Sequence, residues 1–256
     1  MKRDFKKFSK HGLLFFAVLI SFLPIINPLQ IFTNLQNYSF DTLQKALPRE
    51  VYKDDPVVII DIDDGSLSQI GQWPWSRNHL AKLTNQTYLA AALGFDIVFA
   101  EPDRTNPQNL ISAYPENELL SKELNALPNN DQLFAEAIVN HGTVALGQAL
   151  NLKNQSISPT NKFGLVIQGD DPKQFITNFS GAQTNIKLLD EAAQGIGSMS
   201  IGNNDAIVRQ LPTFERVNDK FIPSLALEVT RIAVGASTYQ IKSSNASSEK
   251  AYGSQT

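Results

Sequence analysis

Two apolar runs, each ending in acids, constrain the fold of this chain more than any other feature. Val57–Ile60 is a continuous β-branched stretch opened by Pro56 and followed by Asp61, Asp63 and Asp64. Such a run reads as a strand buried on both faces. Phe95–Phe99 is a second run, followed by Glu101 and Asp103. Between them, residues 78–93 place Leu80, Leu83, Thr87 and Ala90/Ala91 on one helical face, with Gly94 as the stop. Strand, helix and strand within about 40 residues make a βαβ unit, so the two strands are expected to be parallel neighbours.

The alternation continues along the chain. Apolar periodicity predicts helices over residues 116–124, 131–140, 186–194 and 223–234, the last with Pro223 in its first turn. Strands are expected at residues 143–146 and 164–167, and within 206–217, which turns at Asn218-Asp219. The expected class is α/β: a mostly parallel sheet flanked by helices, preceded by one N-terminal transmembrane helix. Residues 237–256 are polar and Ser-rich, and read as a disordered tail or truncated linker.

The N-terminus reads as a membrane anchor. Lys2, Arg3, Lys6, Lys7 and Lys10 stand against one acid, Asp4, in residues 1–12. An apolar run from Leu13 to Ile26 follows and extends to Phe32, about the 20 residues a helix needs to cross a bilayer. The basic flank stays in the cytoplasm by the positive-inside rule, which sends the rest outside. Residues 22–45 hold no Ala or Gly for a signal-peptidase site, so the anchor is expected to remain uncleaved. The expected layout is a cytoplasmic segment 1–12, an inner-membrane anchor 13–32 and a periplasmic domain 33–236. Residues 33–47 form a helix leading out of the membrane and ending before Pro48.

Composition narrows the chemistry. The net charge is −3, and the basic N-terminus leaves the remaining body near −7. That does not suit nucleic acid, whose binders carry a basic footprint. Without Cys there are no disulfides and no thiolate chemistry. His11, His79 and His141 are too scattered to suggest a metal site.

The candidate site lies where the two apolar runs end. In a parallel α/β sheet, sites form outside the carboxyl ends of strands. Asp61, Asp63, Asp96, Glu101 and Asp103 would converge there as a carboxylate rim. Clustered carboxylates repel and call for a cation, an arginine or shared protons. No cofactor is expected, unless the rim takes Mg²⁺ or Ca²⁺, which prefer oxygen ligands. In the structural alternative, Asp63 or Asp64 caps the next turn and Asp96 pairs with Arg77 or Arg104. The loop Trp73-Pro74-Trp75-Ser76-Arg77 sits beside the rim. Two tryptophans make binding walls or plug a core. Ser76 suits a helix cap, and Arg77 would reach the carboxylates. The ligand-binding candidates are therefore Asp61, Asp63, Trp73, Trp75, Arg77, Asp96, Glu101 and Asp103.

These stretches resemble the type-two CHASE domain, a sensory module of bacterial cyclases and histidine kinases. The carriers are VVIIDIDDGSL, IGQWPWSRNHLAKL and GFDIVFAEPD, then Gly195-Ile196-Gly197 through Asn204-Asp205-Ala206-Ile207-Val208-Arg209 to Pro212, and Ile222 to Glu228. Ala206 stands where the family often has glycine. The resemblance implies an extracytoplasmic sensor behind one membrane helix, normally followed by further spans and an output domain. Neither follows within these 256 residues, so the chain is expected to be part of a longer receptor or a stand-alone anchored domain. No catalysis is expected of this region. The expected partner is an unidentified small ligand or periplasmic protein. Homodimerisation would suit a transmembrane signal, though no residue pattern demands it.

A rival reading is enzymatic. The apolar run before Asp61-x-Asp63 resembles the first motif of haloacid-dehalogenase-type phosphatases, with Gly169-Asp170-Asp171 and Lys162 as later elements. In that family the first Asp is the nucleophile and Mg²⁺ assists. The tryptophan loop has no role in that scheme. A third reading is a non-enzymatic, partner-binding domain.

Overall fold

The computed structural model describes residues 30–50, 52, 55–151, 159–201, 207–245 and 254–255. The chain divides into two compact units at Ile62/Asp63.

In the N-terminal unit, α1 (Ile31–Ala46) is the helix expected ahead of Pro48. None of its residues is buried. Ser39 and Thr42 return their hydroxyls to the carbonyls of Leu35 and Tyr38, each at 2.8 Å. Among the described residues no helix is long and apolar enough to cross a membrane. The expected span, 13–32, lies outside them except for residues 30–32.

The Val57–Ile60 reading is overturned. These residues form no strand, and Val58 and Ile59 are 84 % and 85 % exposed. The expected βαβ unit is therefore not built. β-Branched residues favour extended backbone, but a strand exists only where another edge takes its N–H and C=O groups.

The C-terminal unit holds the core. Asp63 caps α2 (Asp64–Ile70), and Ser76 caps α3 (Arg77–Gln86). α3 stops at Gln86, well short of Gly94, which lies inside β1 (Leu93–Phe95). Then come α4 (Glu118–Ala126), α5 (Asn130–His141), β2 (Val144–Asn151) and β3 (Gly164–Gln168). β4 (Asn178–Phe179), β5 (Gly181–Gln183), α6 (Lys187–Ala192) and β6 (Gly195–Ser198) follow. β7 (Phe214–Val217) and β8 (Lys220–Pro223) form a hairpin through Asn218, whose φ is 55°. Pro223 thus closes a strand rather than opening a helix. The following helix, α7 (Leu225–Ala233), is capped by Ser224. β9 (Thr238–Ser243) and β10 (Ser254–Gln255) end the series.

The class is α/β, but the sheets are mixed rather than mostly parallel. β1, β2 and β6 run parallel, and β5 joins the far end of β2 antiparallel. β4 pairs parallel with β7, and β7 antiparallel with β8. β3 pairs parallel with β9, and β9 antiparallel with β10. The reading of residues 237 onward as a coreless tail fails at β9, where Ile241 is completely buried.

The main core lies between the parallel strands and α3, α5 and α6. Phe95, Phe99 and Phe134 meet edge to face, with ring centroids 5.2–5.9 Å apart. α7 packs against glycines of the strands. A Cβ on Gly94 would fall 2.6 Å from Val229 Cγ2, and one on Gly197 2.4 Å from Leu225 Cα. Within α7, Arg231 binds Glu228 at 2.6 Å, and the Tyr239 hydroxyl of β9 donates to the same carboxylate at 2.7 Å.

Candidate functional site

The tryptophan loop is built on buried charge. Arg77 is 8 % exposed, and its guanidinium lies 4.4 Å from the centre of the Phe99 ring. Its Nε sits 3.7 Å from Asp131 Oδ1 at the start of α5, and Nη2 donates to the Glu101 carbonyl at 3.4 Å. Burial pulls this guanidinium below its ordinary value, against the opposing attraction of Asp131 and Asp103. It stays charged at neutral pH all the same.

Asp103 joins the loop to the segment after β1. Its carboxylate accepts the Arg77 N–H at 2.7 Å and the Ser76 hydroxyl at 3.3 Å. It also accepts the N–H and hydroxyl of Thr105, both at 2.8 Å. Burial acts to raise the Asp103 carboxyl, yet these donations, with help from Asn130, hold it below the usual range. Its own N–H donates to the Asp131 carboxylate at 3.0 Å. Asn106 Nδ2 donates to Asp131 at 2.9 Å, and Asn106 Oδ1 takes the Asn130 N–H at 2.7 Å. Three chain segments are thus riveted together through paired, hydrogen-bonded charge.

On this base stands the loop itself. The two indoles meet edge to face at 5.9 Å, across a cis Trp73-Pro74 bond. Trp73 packs on the main core, and Trp75 Nε1 donates to the Gly71 carbonyl at 2.6 Å. Both rings remain half-buried, so each keeps a surface that a ligand can reach.

The predicted residues divide accordingly. Trp73, Trp75, Arg77 and Asp103 are brought together. Arg77 and Asp103 are buried supports rather than rim groups. The Glu101 carbonyl belongs to this cluster, while its carboxylate is exposed and lies 3.8 Å from Arg104. Asp96 is exposed just after β1. Asp63 is exposed and caps α2, accepting the Ser66 N–H at 2.7 Å and its hydroxyl at 2.6 Å. Those bonds from Ser66 lower its carboxyl. Asp61 is exposed and belongs to the N-terminal unit. The sequence reading missed Asp131, Asn130, Asn106 and Thr105. The run Asn129-Asn130-Asp131 carried a signal, since an Asn cap followed by an acid opens a helix, and an acid so placed also faces a neighbouring loop.

Among the described residues, no three His, Asp or Glu side chains are placed to hold a metal ion. Two of the residues invoked for phosphatase chemistry, Lys162 and Asp171, are otherwise engaged. Lys162 Nζ donates to the carbonyls of Glu191 and Ala193 at 2.9 and 2.5 Å, closing the end of α6. Asp171 caps a short 3₁₀ helix, Pro172–Phe175.

The C-terminal unit thus presents an aromatic loop on a buried ionic base within a mixed α/β domain. The chain belongs to the CHASE2 domain family, whose model matches residues 13–254. CHASE2 domains are extracellular sensory domains of signalling proteins and are generally non-catalytic. No curated protein and no solved structure matches the chain.

Proposed function

We propose that this domain is the periplasmic sensor of a membrane-bound receptor of the cyclase or histidine-kinase type. A small ligand or a periplasmic protein engages the Trp73–Trp75 loop, with the exposed acid Glu101 at its margin. The observation that carries this reading is the half-buried indole pair on a buried Arg77–Asp103–Asp131 base. A loop braced in this way is pre-organised, which lowers the ordering cost of binding. The signal then passes along the chain to α1 and the N-terminal anchor. It requires a ligand that binds one of two arrangements more tightly than the other.

Both tryptophans of the chain lie in this loop, so tryptophan emission reports on the loop alone. Protein-free fractions of periplasmic extract titrated into the full chain in detergent are expected to give a saturable emission change. Trp75→Ala, which keeps Trp73 as reporter, should weaken that response at least tenfold. An unaltered titration curve in this variant would remove the loop as the binding surface. Arg77 is unsuitable as the probe, because its replacement disturbs the core.

A further inference from the structure

A second polar cluster lies inside the C-terminal unit, in the seam between two apolar cores. Gln148 of β2 stands in register with Ser198 of β6. Partners in a parallel pair direct their side chains to the same face. The Ser198 hydroxyl is hydrogen bonded to Glu215 Oε2 of β7 and also accepts the Ser200 N–H at 3.0 Å. Gln148, Ser198 and Glu215 are 0 %, 3 % and 1 % exposed. Around them, Leu146 belongs to the main core, while Leu150 and Ile222 belong to a second one.

Hydrogen bonding within the protein is incomplete here. Gln148 Nε2, Gln148 Oε1 and Glu215 Oε1 have no partner among the described residues. Buried polar groups are almost always paired, with protein or with an ordered water. These atoms comprise two acceptors and one donor. A water donates twice and accepts, and a buried water typically makes about three hydrogen bonds. The arrangement is also built rather than incidental, because three different strands each contribute one of its side chains.

We propose that Gln148, Ser198 and Glu215 form a buried binding site for a single water molecule. The water accepts from Gln148 Nε2 and donates to Glu215 Oε1 and to the amide oxygen. It thereby adds a second link between the parallel sheet and the β7–β8 hairpin, beside the direct Ser198–Glu215 bond. It also lets a carboxylate persist in an apolar seam.

Gln148→Leu in the full chain gives results of opposite sign. If water is bound, leucine expels it and strands Glu215, and the melting temperature falls by about 3–6 °C. If the site is dry, leucine removes two orphaned polar atoms and the melting temperature rises or stays level, which overturns the proposal. Should the variant fail to fold, the wild-type protein decides. High-resolution diffraction should show one water within hydrogen-bonding distance of Gln148 and Glu215. Empty density, or a peak that strengthens when sodium is exchanged for rubidium, would overturn it.

Discussion

At the residue scale, a charge's surroundings outweigh its position in a motif. Arg77 and Arg104 both face carboxylates, but the Arg77–Asp131 pair is buried, whereas Arg104 and Glu101 are 78 % and 75 % exposed. Removing one member of a buried pair leaves the other uncompensated. Arg77→Met should therefore cost about 3–5 kcal/mol in urea denaturation. Arg104→Ala should stay within about 0.5 kcal/mol of the parent. Asp103 gives a pH signature. Its folded-state carboxyl lies below the ordinary value of 3.8, so its contribution is present above that value and is lost as pH falls through the folded one. Asp103→Asn should flatten the fall in stability below about pH 4, read as denaturation midpoints across acid buffers. Glu215 has the opposite sign. Burial raises its carboxyl above 4.5 despite the Ser198 bond, so its contribution is full below that value and declines as pH rises through the folded one. Such environments are set by packing between distant segments. That is why the sequence picked out Arg77 and Asp103 as important yet assigned them to an open rim, and why it passed over Asp131.

At the element scale, helices were the easier part to read. α4, α5 and α6 lie within a few residues of their expected spans, because each pairs an apolar period with a local start or stop, such as Gly142 with φ 77° after α5. Strands were harder. A strand depends on a partner far along the chain, so β9 went unread in a Ser-rich stretch while Val57–Ile60 was read as a strand it does not form. α7 provides the sharpest test of packing. An added methyl on Gly197 would meet the backbone of Leu225 at 2.4 and 2.7 Å, and backbone cannot rotate away as a side chain can. Gly197→Ala should therefore cost about 2–4 kcal/mol, with near-ultraviolet dichroism reporting loosened packing before helix content falls. The added methyl on Gly147 would meet mainly the flexible side chain of Met199. Gly147→Ala is accordingly expected to be the milder of the two.

At the scale of the whole molecule, the unpaired Val57–Ile60 run is the feature most exposed to accident. Four consecutive β-branched residues without a strand partner among the described residues form a template for pairing with another chain. The double variant Val58→Lys/Ile59→Lys should sediment with less self-association and melt within about 2 °C of the parent. An equal tendency to associate would show that the run is protected in solution. Family membership was legible because its motif blocks are local strings. The layout of the domain was not, because mixed sheets arise from pairings such as Gly164 with Thr238, far apart in sequence. That pairing also bears on how the protein is made. β9 is the middle strand of its sheet, between β3 and β10. A ribosome delivers β3 long before Thr238 exists, so a growing chain carries β3 as a bare edge through much of its synthesis. Chaperones that escort nascent chains would find their foothold on that waiting edge, and a ribosome stalled before residue 238 would release a product unable to close it.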